Sequence, residues 1–323
     1  MSKVQDRRYD DTAEGRFVFP VGSGKGGVGK SFLTANLGMA LATILPEKEL
    51  LLLDADLGIG NLHLFLGIRY PQLTLNDFLG RTVSSLSEII EETELNNLGL
   101  ISGANGILYL ANPNYQQKMR IINALRSLPS QILFLDLSPG CGYNTIDFFG
   151  TSTRGILVTT PEPTSIQATY LFLRSAIYRK LNRIFRKNPI VLSLVKNASM
   201  RNSQQQVRTI AELIVRIRME DPISAQSVET LIHSFRPYLV FNMVQNKAQL
   251  KLYERFQEVV RKYLAIEVRF LGAVPFDKKV MNAVREKEPF FLRKPRSDAG
   301  RAIWDIANRL IQYEGLGYKE RGK

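Results

Sequence analysis

A glycine-rich stretch near the start of the chain, GSGKGGVGKS at residues 22–31, carries the residue types that hold phosphate groups. Gly24, Gly29, Lys30 and Ser31 match the spacing G-x-x-x-x-G-K-[ST]. Glycine lets backbone N–H groups turn toward phosphate oxygens, and the N-terminus of a following helix adds positive potential. Lys30 is predicted to reach the β- and γ-phosphates, and the Ser31 hydroxyl to bind Mg²⁺, which together indicate a nucleotide-binding site. The predicted contacts in the loop are Gly24, Lys25, Gly26, Gly27, Val28, Gly29, Lys30, Ser31 and Phe32.

Two aspartates that each end an apolar segment supply the carboxylates that such a site needs. Asp54 closes LLLLD at 50–54, and Asp136 lies in ILFLDLSPG at 132–140. A strand-end aspartate can serve only as a turn or cap residue, but both of these follow the loop in the order expected for Mg²⁺ ligands. Asp54, Asp136 and Ser31 are therefore the predicted magnesium ligands, with Asp136 acting through a water.

The loop contains a second lysine, Lys25, which the phosphate-binding pattern does not require. With it, the stretch KGGVGKS resembles the deviant Walker A signature of the MinD/ParA family of ATPases. The resemblance implies that Lys25 crosses into a partner subunit and contacts the phosphates bound there, so that hydrolysis requires an ATP-dependent homodimer. A cation arriving in this way would neutralise charge on the transferring phosphoryl group, which makes Lys25 and Lys30 predicted catalytic residues. The alternative is a surface lysine that only raises the local positive potential.

The segment DADLGIGNLHLFLGI at 54–68 is similar to the MinD and FlhG branch of that family. The resemblance implies that Asp56 is the switch aspartate that orients the attacking water, the third predicted catalytic residue. The chain departs from the family at His63, where an aspartate is usual, and a position at the surface or rim is expected for it. The later segments FNMV and LGAVPFD place Asn242 and Pro275 where the family contacts adenine.

Short apolar segments alternate with helical patterns along most of the chain. This alternation predicts an α/β protein with a mostly parallel sheet flanked by helices, which is also the fold that the resemblance implies. Asp147, in NTIDFF between the predicted strands 131–136 and 155–160, is expected to cap or pack locally. The predicted strands are 16–22, 50–54, 98–102, 131–136, 155–160, 237–243 and 268–274, and the predicted helices are 31–45, 113–127, 164–186, 247–264 and 298–313.

Composition limits the class of protein and its organisation. The chain has 323 residues, 45% of them hydrophobic, enough for a large core in a single domain that spans 1–323. Residues 1–15 are polar and are expected to be a flexible N-terminus, and 314–323 a polar tail. The absence of a signal-like segment or a long apolar run, together with one cysteine, Cys141, predicts a cytoplasmic protein.

Charge is concentrated in one part of the chain. The net charge is +13, and residues 174–236 hold 12 Arg and Lys against 4 Asp and Glu, a net +8. Within this region 187–234 is predicted to be a basic helical insertion. Three interpretations remain open for it: a solvated surface, a site for non-specific DNA, or a site for an anionic membrane or a protein partner. A peripheral location at the membrane or nucleoid therefore stays open.

The resemblance implies an ATP-dependent dimerising switch that hydrolyses MgATP slowly and controls the placement or number of a cellular structure. A ParA-like ATPase that binds DNA for cargo or chromosome partitioning is the alternative. An activator protein is expected in either case. Iron–sulfur carriers with related loops need paired cysteines, which Cys141 alone does not provide, and no acid–base set for an amide ligase is evident in 187–234.

Overall fold

The computed structural model describes residues 16–58, 60–103, 113–199 and 207–317. One eight-stranded sheet runs through them in the order β3-β4-β2-β5-β1-β6-β7-β8. All neighbouring strands are parallel except β3 and β4. The predicted α/β fold with a mostly parallel sheet is confirmed. The strands are β1 Phe17–Gly22, β2 Leu50–Ala55, β3 Ile90–Glu92, β4 Leu98–Ile101, β5 Ile132–Leu137, β6 Ile156–Thr159, β7 Tyr238–Val244 and β8 Arg269–Pro275.

Helices cover both faces of this sheet. They are α1 Lys30–Ile44, α2 Leu62–Phe65, α3 Leu75–Leu79, α4 Tyr115–Ala124, α5 Tyr143–Phe149, α6 Pro163–Ile184, α7 Pro189–Ser199, α8 Ile210–Glu220, α9 Pro222–Ser234, α10 Lys251–Leu264, α11 Lys278–Glu286, α12 Phe290–Arg293 and α13 Asp298–Glu314.

Side chains of the central strands alternate between two separate cores. On β2, Leu51 and Leu53 face the core beneath α4 to α10, whereas Leu50 and Leu52 face the core beneath α1, α12 and α13. Because both faces are covered, β2 is apolar at consecutive positions and fully buried. The apolar runs in the sequence therefore predicted the central strands well.

The antiparallel edge strand β3 was not predicted from the sequence. Its three residues, Ile90–Glu92, carry two glutamates and are only partly buried. Such a strand lacks an apolar run, and only its pairing with β4 defines it. Charged residues at a sheet edge also oppose pairing with another chain.

Helices α7, α8 and α9 lie between α6 and β7, in the segment 187–234 for which a helical insertion was expected. Their buried side chains, among them Val191, Leu213 and Val228, join the core beneath α6. Residues 200–206 of this segment lie outside the described residues. We propose that the chain forms one domain of which these helices are a part.

Helix α13 is the last element near the end of the chain that the structure describes. The expected flexible N-terminus, 1–15, and residues 318–323 of the expected polar tail lie outside the described residues. Helix α13 packs against the core through Ile303, Ile306 and Leu310, all at most 1% exposed. No helix in the described part of the chain is long and apolar enough to cross a membrane.

Candidate nucleotide-binding site

The phosphate loop lies where β1 meets α1. Strand β1 ends at Gly22 and α1 begins at Lys30, so the predicted strand–loop–helix context is present. Gly29, the residue before the helix, has φ of 81°, a conformation that favours glycine. A Cβ on Gly24 would lie 2.1 Å from the Ala168 carbonyl oxygen on α6, so the loop packs more closely on α6 than any larger residue would allow.

The side chain of Asn242, buried near the end of β7, forms a hydrogen bond to the backbone of the phosphate loop. Its Nδ2 donates a hydrogen bond to the Val28 carbonyl oxygen at 2.8 Å. A Cβ on Gly29 would lie 2.2 Å from the same nitrogen, so Gly29 is also needed for this close approach. Asn242 therefore positions the loop, and its predicted contact with adenine stays a prediction.

Lys30 is buried and paired with a carboxylate. Its Nζ lies 2.5 Å from Asp136 Oδ1, and the Thr34 hydroxyl donates to the same oxygen at 3.1 Å. Ser31 Oγ lies 3.4 Å from Lys30 Nζ. The second oxygen, Asp136 Oδ2, is buried without a hydrogen-bond partner among the described residues. A buried acceptor that lacks a donor is suited to a cation or a bound water.

Asp54 faces Asp136 on the neighbouring strand. The two residues are paired in the register of β2 and β5, and each is 1% exposed. Burial, reinforced by the charge of Asp136, raises the pKa of Asp54 to about 7. Asp54 Oδ1 accepts from the Asp56 N–H at 3.0 Å and Oδ2 accepts from the Leu62 N–H at 3.1 Å. Asp54 therefore also fixes the segment that follows β2.

These residues fit a magnesium ion. Two buried carboxylates and the Ser31 hydroxyl offer the hard oxygen ligands that Mg²⁺ prefers, and Asp136 Oδ2 has a free acceptor position. Of the two carboxylates, Asp136 is the better candidate, because both oxygens of Asp54 already accept backbone hydrogen bonds.

Asp56 lies in the loop that follows β2 and is partly buried. Its Oδ1 accepts a hydrogen bond from Ser138 Oγ at 2.9 Å and from the Gly58 N–H at 3.4 Å. Ser138 belongs to the loop after β5, which also touches the phosphate loop, since the Gly140 N–H donates to the Ser23 carbonyl at 2.9 Å. Asp56 is thus held beside the site by the loops that follow two different strands.

Lys25, the other lysine of the phosphate loop, contacts a different part of the protein from Lys30. It is exposed, and its Nζ donates to Thr164 Oγ1 at the start of α6, at 3.2 Å. Lys30, by contrast, is 7% exposed and points at Asp136. The two lysines of the loop therefore occupy different environments.

Pro275 ends β8, opposite Val244 on β7. The neighbouring Met243 has φ of 58° at an irregularity in β7, and its Cε would lie 3.6 Å from a Cβ placed on Gly29. Met243 and Phe276 are 38% and 49% exposed. The ends of β7 and β8 thus form a partly apolar rim on the side of β1 away from the carboxylates. The adenine contacts of Asn242 and Pro275 were expected there.

A buried ion cluster behind the site corrects the expectation for Asp147. Arg179 donates two hydrogen bonds to its carboxylate, at 2.7 and 2.9 Å, and Lys118 donates a third. Burial alone would raise the pKa of Asp147, but these hydrogen bonds outweigh it and hold the pKa below its ordinary value. The residue does not act locally: it joins α5 to α4 and α6.

His63 is also placed differently from the expectation. It lies on the short helix α2 and is 8% exposed, so it is buried and not at the surface. Burial lowers the pKa of His63 below its ordinary value of 6.5, with the charge of Lys287 acting in the same direction. No pattern in the sequence distinguished a buried histidine from an exposed one at this position.

Three hydroxyl residues of the site were missed from the sequence: Thr34, Ser138 and Thr164. Thr34 is one helical turn after Lys30, and Ser138 is two residues after Asp136. The spacing of Thr34 from Lys30 and of Ser138 from Asp136 indicates a role only once Lys30 and Asp136 are known to belong to the site. Thr164 lies 139 residues from Lys25, and no local pattern links the two.

Comparison with known proteins agrees with this geometry. The profile of the CobQ/CobB/MinD/ParA nucleotide binding domain matches residues 20–290. The chain is 25% identical to the antiactivator FleN of Pseudomonas aeruginosa over 91% of its own length and 85% of that protein. It is 26% identical to the septum site-determining protein MinD of Synechocystis over 91% of its length and 88% of that protein.

A solved structure shares the fold. MinD of Pyrococcus horikoshii complexed with Mg-ADP aligns with a TM-score of 0.59 at 20% identity, covering 94% of this chain and 99% of that one. The profile match, which covers most of the chain, identifies the protein as a member of the CobQ/CobB/MinD/ParA nucleotide-binding family.

Proposed function

We propose that the protein is a MinD/FlhG-type ATPase switch that binds MgATP, closes into a homodimer and reopens after slow hydrolysis. The observation that carries this proposal is the division between the two loop lysines. Lys30 is buried on Asp136, within its own site, whereas Lys25 is exposed at the rim, where a second subunit can be reached. In this proposal Lys30 contacts the nucleotide bound to its own subunit, and Lys25 contacts the nucleotide bound to the partner subunit.

In this proposal the chain binds the triphosphate through the N–H groups of the loop, the start of α1 and Lys30. Ser31 and Asp136, with Asp54 beside them, would hold Mg²⁺. When bound, the metal neutralises charge on the β- and γ-phosphate oxygens. The remaining work of positioning falls to the chain, because the loop is fixed by Asn242 below and by α6 beside it.

Hydrolysis is assigned to water held by Asp56. The water oxygen attacks the γ-phosphorus, the bond to the bridging β–γ oxygen breaks, and ADP and phosphate leave. Ser138 keeps the Asp56 carboxylate aimed at the site. Lys25 from the second subunit would stabilise charge on the transferred group, which ties turnover to dimerisation.

Asn242 and Pro275 are the proposed adenine contacts. Their support is position: they lie at the ends of β7 and β8, beside the loop and away from the metal ligands. Asn242 can serve both the loop and a base, because its amide has a second N–H and a carbonyl oxygen.

The cellular role that we infer is control of the placement or number of a structure, through a cytoplasmic dimer and an activator protein. Similarity to an antiactivator and to septum site-determining proteins supports a regulatory switch over a metabolic enzyme. Release of phosphate would relax the loops that carry Asp56 and Ser138, which is a general way to open such a switch.

The direct test is the ATPase rate per molecule as the protein is diluted, with sedimentation velocity on the same samples. We expect the specific rate to fall in the range where the ATP-bound dimer dissociates. A rate that stays constant from dimer to monomer would contradict the proposed role of Lys25, although nucleotide binding would stand.

A ParA-like role on DNA is the second candidate. The net +8 of residues 174–236 favours it, because a protein that neutralises several phosphates binds duplex in a strongly salt-dependent way. Fluorescence anisotropy with a labelled duplex at two salt concentrations, with ATP, tests it. Absence of binding at the lower salt concentration would rule this role out.

A further inference from the structure

Two turns of the helical insertion meet beyond the end of α6, the helix whose start lies beside the phosphate loop. The turn between α6 and α7 lies against the turn between α8 and α9, because Asn188 Nδ2 donates to Asp221 Oδ2 at 2.8 Å and to Ser224 Oγ at 2.9 Å. The same asparagine caps α7, with its Oδ1 accepting from the Val191 N–H at 3.1 Å. Two helix–helix turns are thus joined into one surface.

Large apolar side chains of this surface point into solvent. Met219 is 79% exposed and Ile223 is 83% exposed, and Ile190 beside them is 39% exposed. Their neighbours on the same helices, such as Ile217 and Val228, are fully buried, so the core of the insertion is complete without them. The exposed residues are therefore available for contact with something outside this chain.

Cations flank these apolar side chains. Arg186 and Lys187 are exposed and immediately precede Asn188. The nearby carboxylate of Asp221 is turned into this surface by its hydrogen bonds, and Arg218 is paired with Glu229 on α9. Glu220 is the exposed carboxylate of the turn. We call the surface formed by Arg186, Lys187, Ile190, Met219 and Ile223 the insertion corner.

The character of this surface distinguishes between its candidate occupants. Non-specific binding of DNA depends on phosphate contacts, which give Met219 and Ile223 no apolar partner. Two cations of the basic region, Arg179 and Lys180, are engaged within the protein: Arg179 with Asp147, and Lys180 over the Phe235 ring at 5.7 Å. Two strongly exposed apolar side chains beside two cations are complementary to a lipid interface, where acyl chains lie beneath anionic headgroups.

We propose that the insertion corner docks on an anionic membrane surface. Met219, Ile223 and Ile190 enter the interface, and Arg186 and Lys187 contact the lipid phosphates. The device is internal to the chain and uses neither of its ends. The proposal rests on the geometry of the insertion alone and does not depend on the ATPase role proposed above.

Sedimentation of the full chain with vesicles tests this proposal. The probes are vesicles of phosphatidylcholine alone and of phosphatidylcholine with phosphatidylglycerol, without nucleotide and with MgATP. We expect binding to the anionic vesicles that decreases with added salt, and no binding to the neutral ones. Removing two apolar groups with Met219→Ser and Ile223→Ser should weaken it about tenfold or more. Arg186→Gln with Lys187→Gln should weaken it about tenfold at low salt.

Matched controls separate docking from loss of structure. Tyr70 is 88% exposed outside the insertion, so Tyr70→Ser removes an equally exposed apolar side chain elsewhere. Arg261→Gln with Lys262→Gln removes two adjacent exposed cations on α10. Both controls should bind vesicles as the parent does, and thermal melts should show every variant folded.

Several outcomes would overturn the proposal. Failure of the parent to bind anionic vesicles in both nucleotide states is one, and undiminished binding by the Met219 and Ile223 variant is another. Loss of duplex binding in the Arg186 and Lys187 variant, with vesicle binding intact, would assign the corner to DNA. Loss of self-association in the apolar variant alone would assign it to a second copy. ATP turnover on the same samples shows separately whether the ATPase proposal holds.

Discussion

Lys25 and Lys30 are five residues apart on one loop and face different chemistry. Lys30 neutralises a buried carboxylate, and its position is fixed by α1 and by Asp136. Lys25 is tied only to the hydroxyl of Thr164 among the contacts that the structure describes, and that exposed hydrogen bond is easily exchanged for water. Replacing Lys25 should therefore affect different properties of the protein from replacing Lys30.

Lys25→Ala should retain nucleotide binding but lose ATP-dependent dimerisation, and its turnover should fall about 100-fold or more, the typical effect of removing a charge-stabilising group. Nucleotide titration and sedimentation velocity measure the two properties separately. Thr164→Val is the matched control, since it removes only the hydroxyl that contacts Lys25. If Lys25→Ala dimerises with ATP as the parent does, the role in a partner subunit is wrong.

Asp56→Ala should bind ATP and remain dimeric, because it loses the group that orients water but none that binds phosphate. Turnover should fall about 100-fold or more, while Ser138→Ala, which only releases the Asp56 carboxylate, should show a smaller loss. Single-turnover hydrolysis and size measurements after ATP addition check this. Turnover at the parent rate in Asp56→Ala would remove the assignment.

The residues of the phosphate loop could be predicted from the sequence, because the spacing of glycine, lysine and serine in this motif is tied to one backbone conformation. The sequence did not reveal that both oxygens of Asp54 accept backbone hydrogen bonds, or that Asn242 supports Val28. Such contacts depend on which strands become neighbours in the sheet. The order β2-β5-β1, with β5 between two earlier strands, cannot be derived from local pattern.

At the scale of elements, α4, α5 and α6 are joined by the buried carboxylate of Asp147. α5 follows the loop that carries Ser138, and α6 begins at Pro163, one residue before Thr164, the hydrogen-bond partner of Lys25. The ion cluster therefore fixes two elements that border the site. The segment around Asp147 did not predict this ion cluster, because Lys118 and Arg179 lie 29 and 32 residues away from Asp147 in the sequence.

Asp147→Asn should lower the free energy of unfolding by about 3 kcal/mol, because it leaves two cations without their buried partner. Denaturant titration measures this. The matched control is Asp298→Asn, whose pair with Arg301 is exposed and which should have little effect. An equal effect of both changes would contradict the importance of burial.

The same cluster predicts a dependence on pH. The folded pKa of Asp147 is lowered from the ordinary value of 3.8, so its contribution to stability is present above that value and is lost as pH falls through the folded pKa. The parent should therefore lose more stability than Asp147→Asn as pH falls below about 4. Parallel acid titrations by circular dichroism compare the two, and identical acid profiles would contradict the ion pairing.

At the scale of the molecule, the candidate nucleotide site and the insertion corner lie toward opposite ends of the strands. Parallel strands place the phosphate loop, Asp54, Asp136 and Asn242 at their carboxyl ends. The insertion corner lies beyond the far end of α6, which returns toward the amino ends. The sequence indicated both regions, one by motif and one by charge, but not the exposed apolar side chains, because helical spacing alone does not show which turn protrudes.

MgATP should stabilise the whole molecule, since it binds only the folded site. At 100 times the dissociation constant the gain is about 2.7 kcal/mol, which corresponds to about 5 °C in the midpoint of thermal unfolding. Melts with MgATP, with ATP and a chelator, and without ligand measure it, and the chelated sample should gain less. An unchanged midpoint with MgATP would contradict nucleotide binding itself.

Helix α6 runs for 22 residues from the edge of the phosphate loop to the turn before the insertion corner. At about 1.5 Å per residue it is a rod of roughly 33 Å, so each degree of tilt about its first turn displaces its last turn by roughly 0.6 Å. Ala168 is in tight contact with Gly24, so a shift of the loop presses directly on this rod near its pivot. A tilt of α6 caused by the loop would therefore displace the turn before the insertion corner more than it displaces the loop itself.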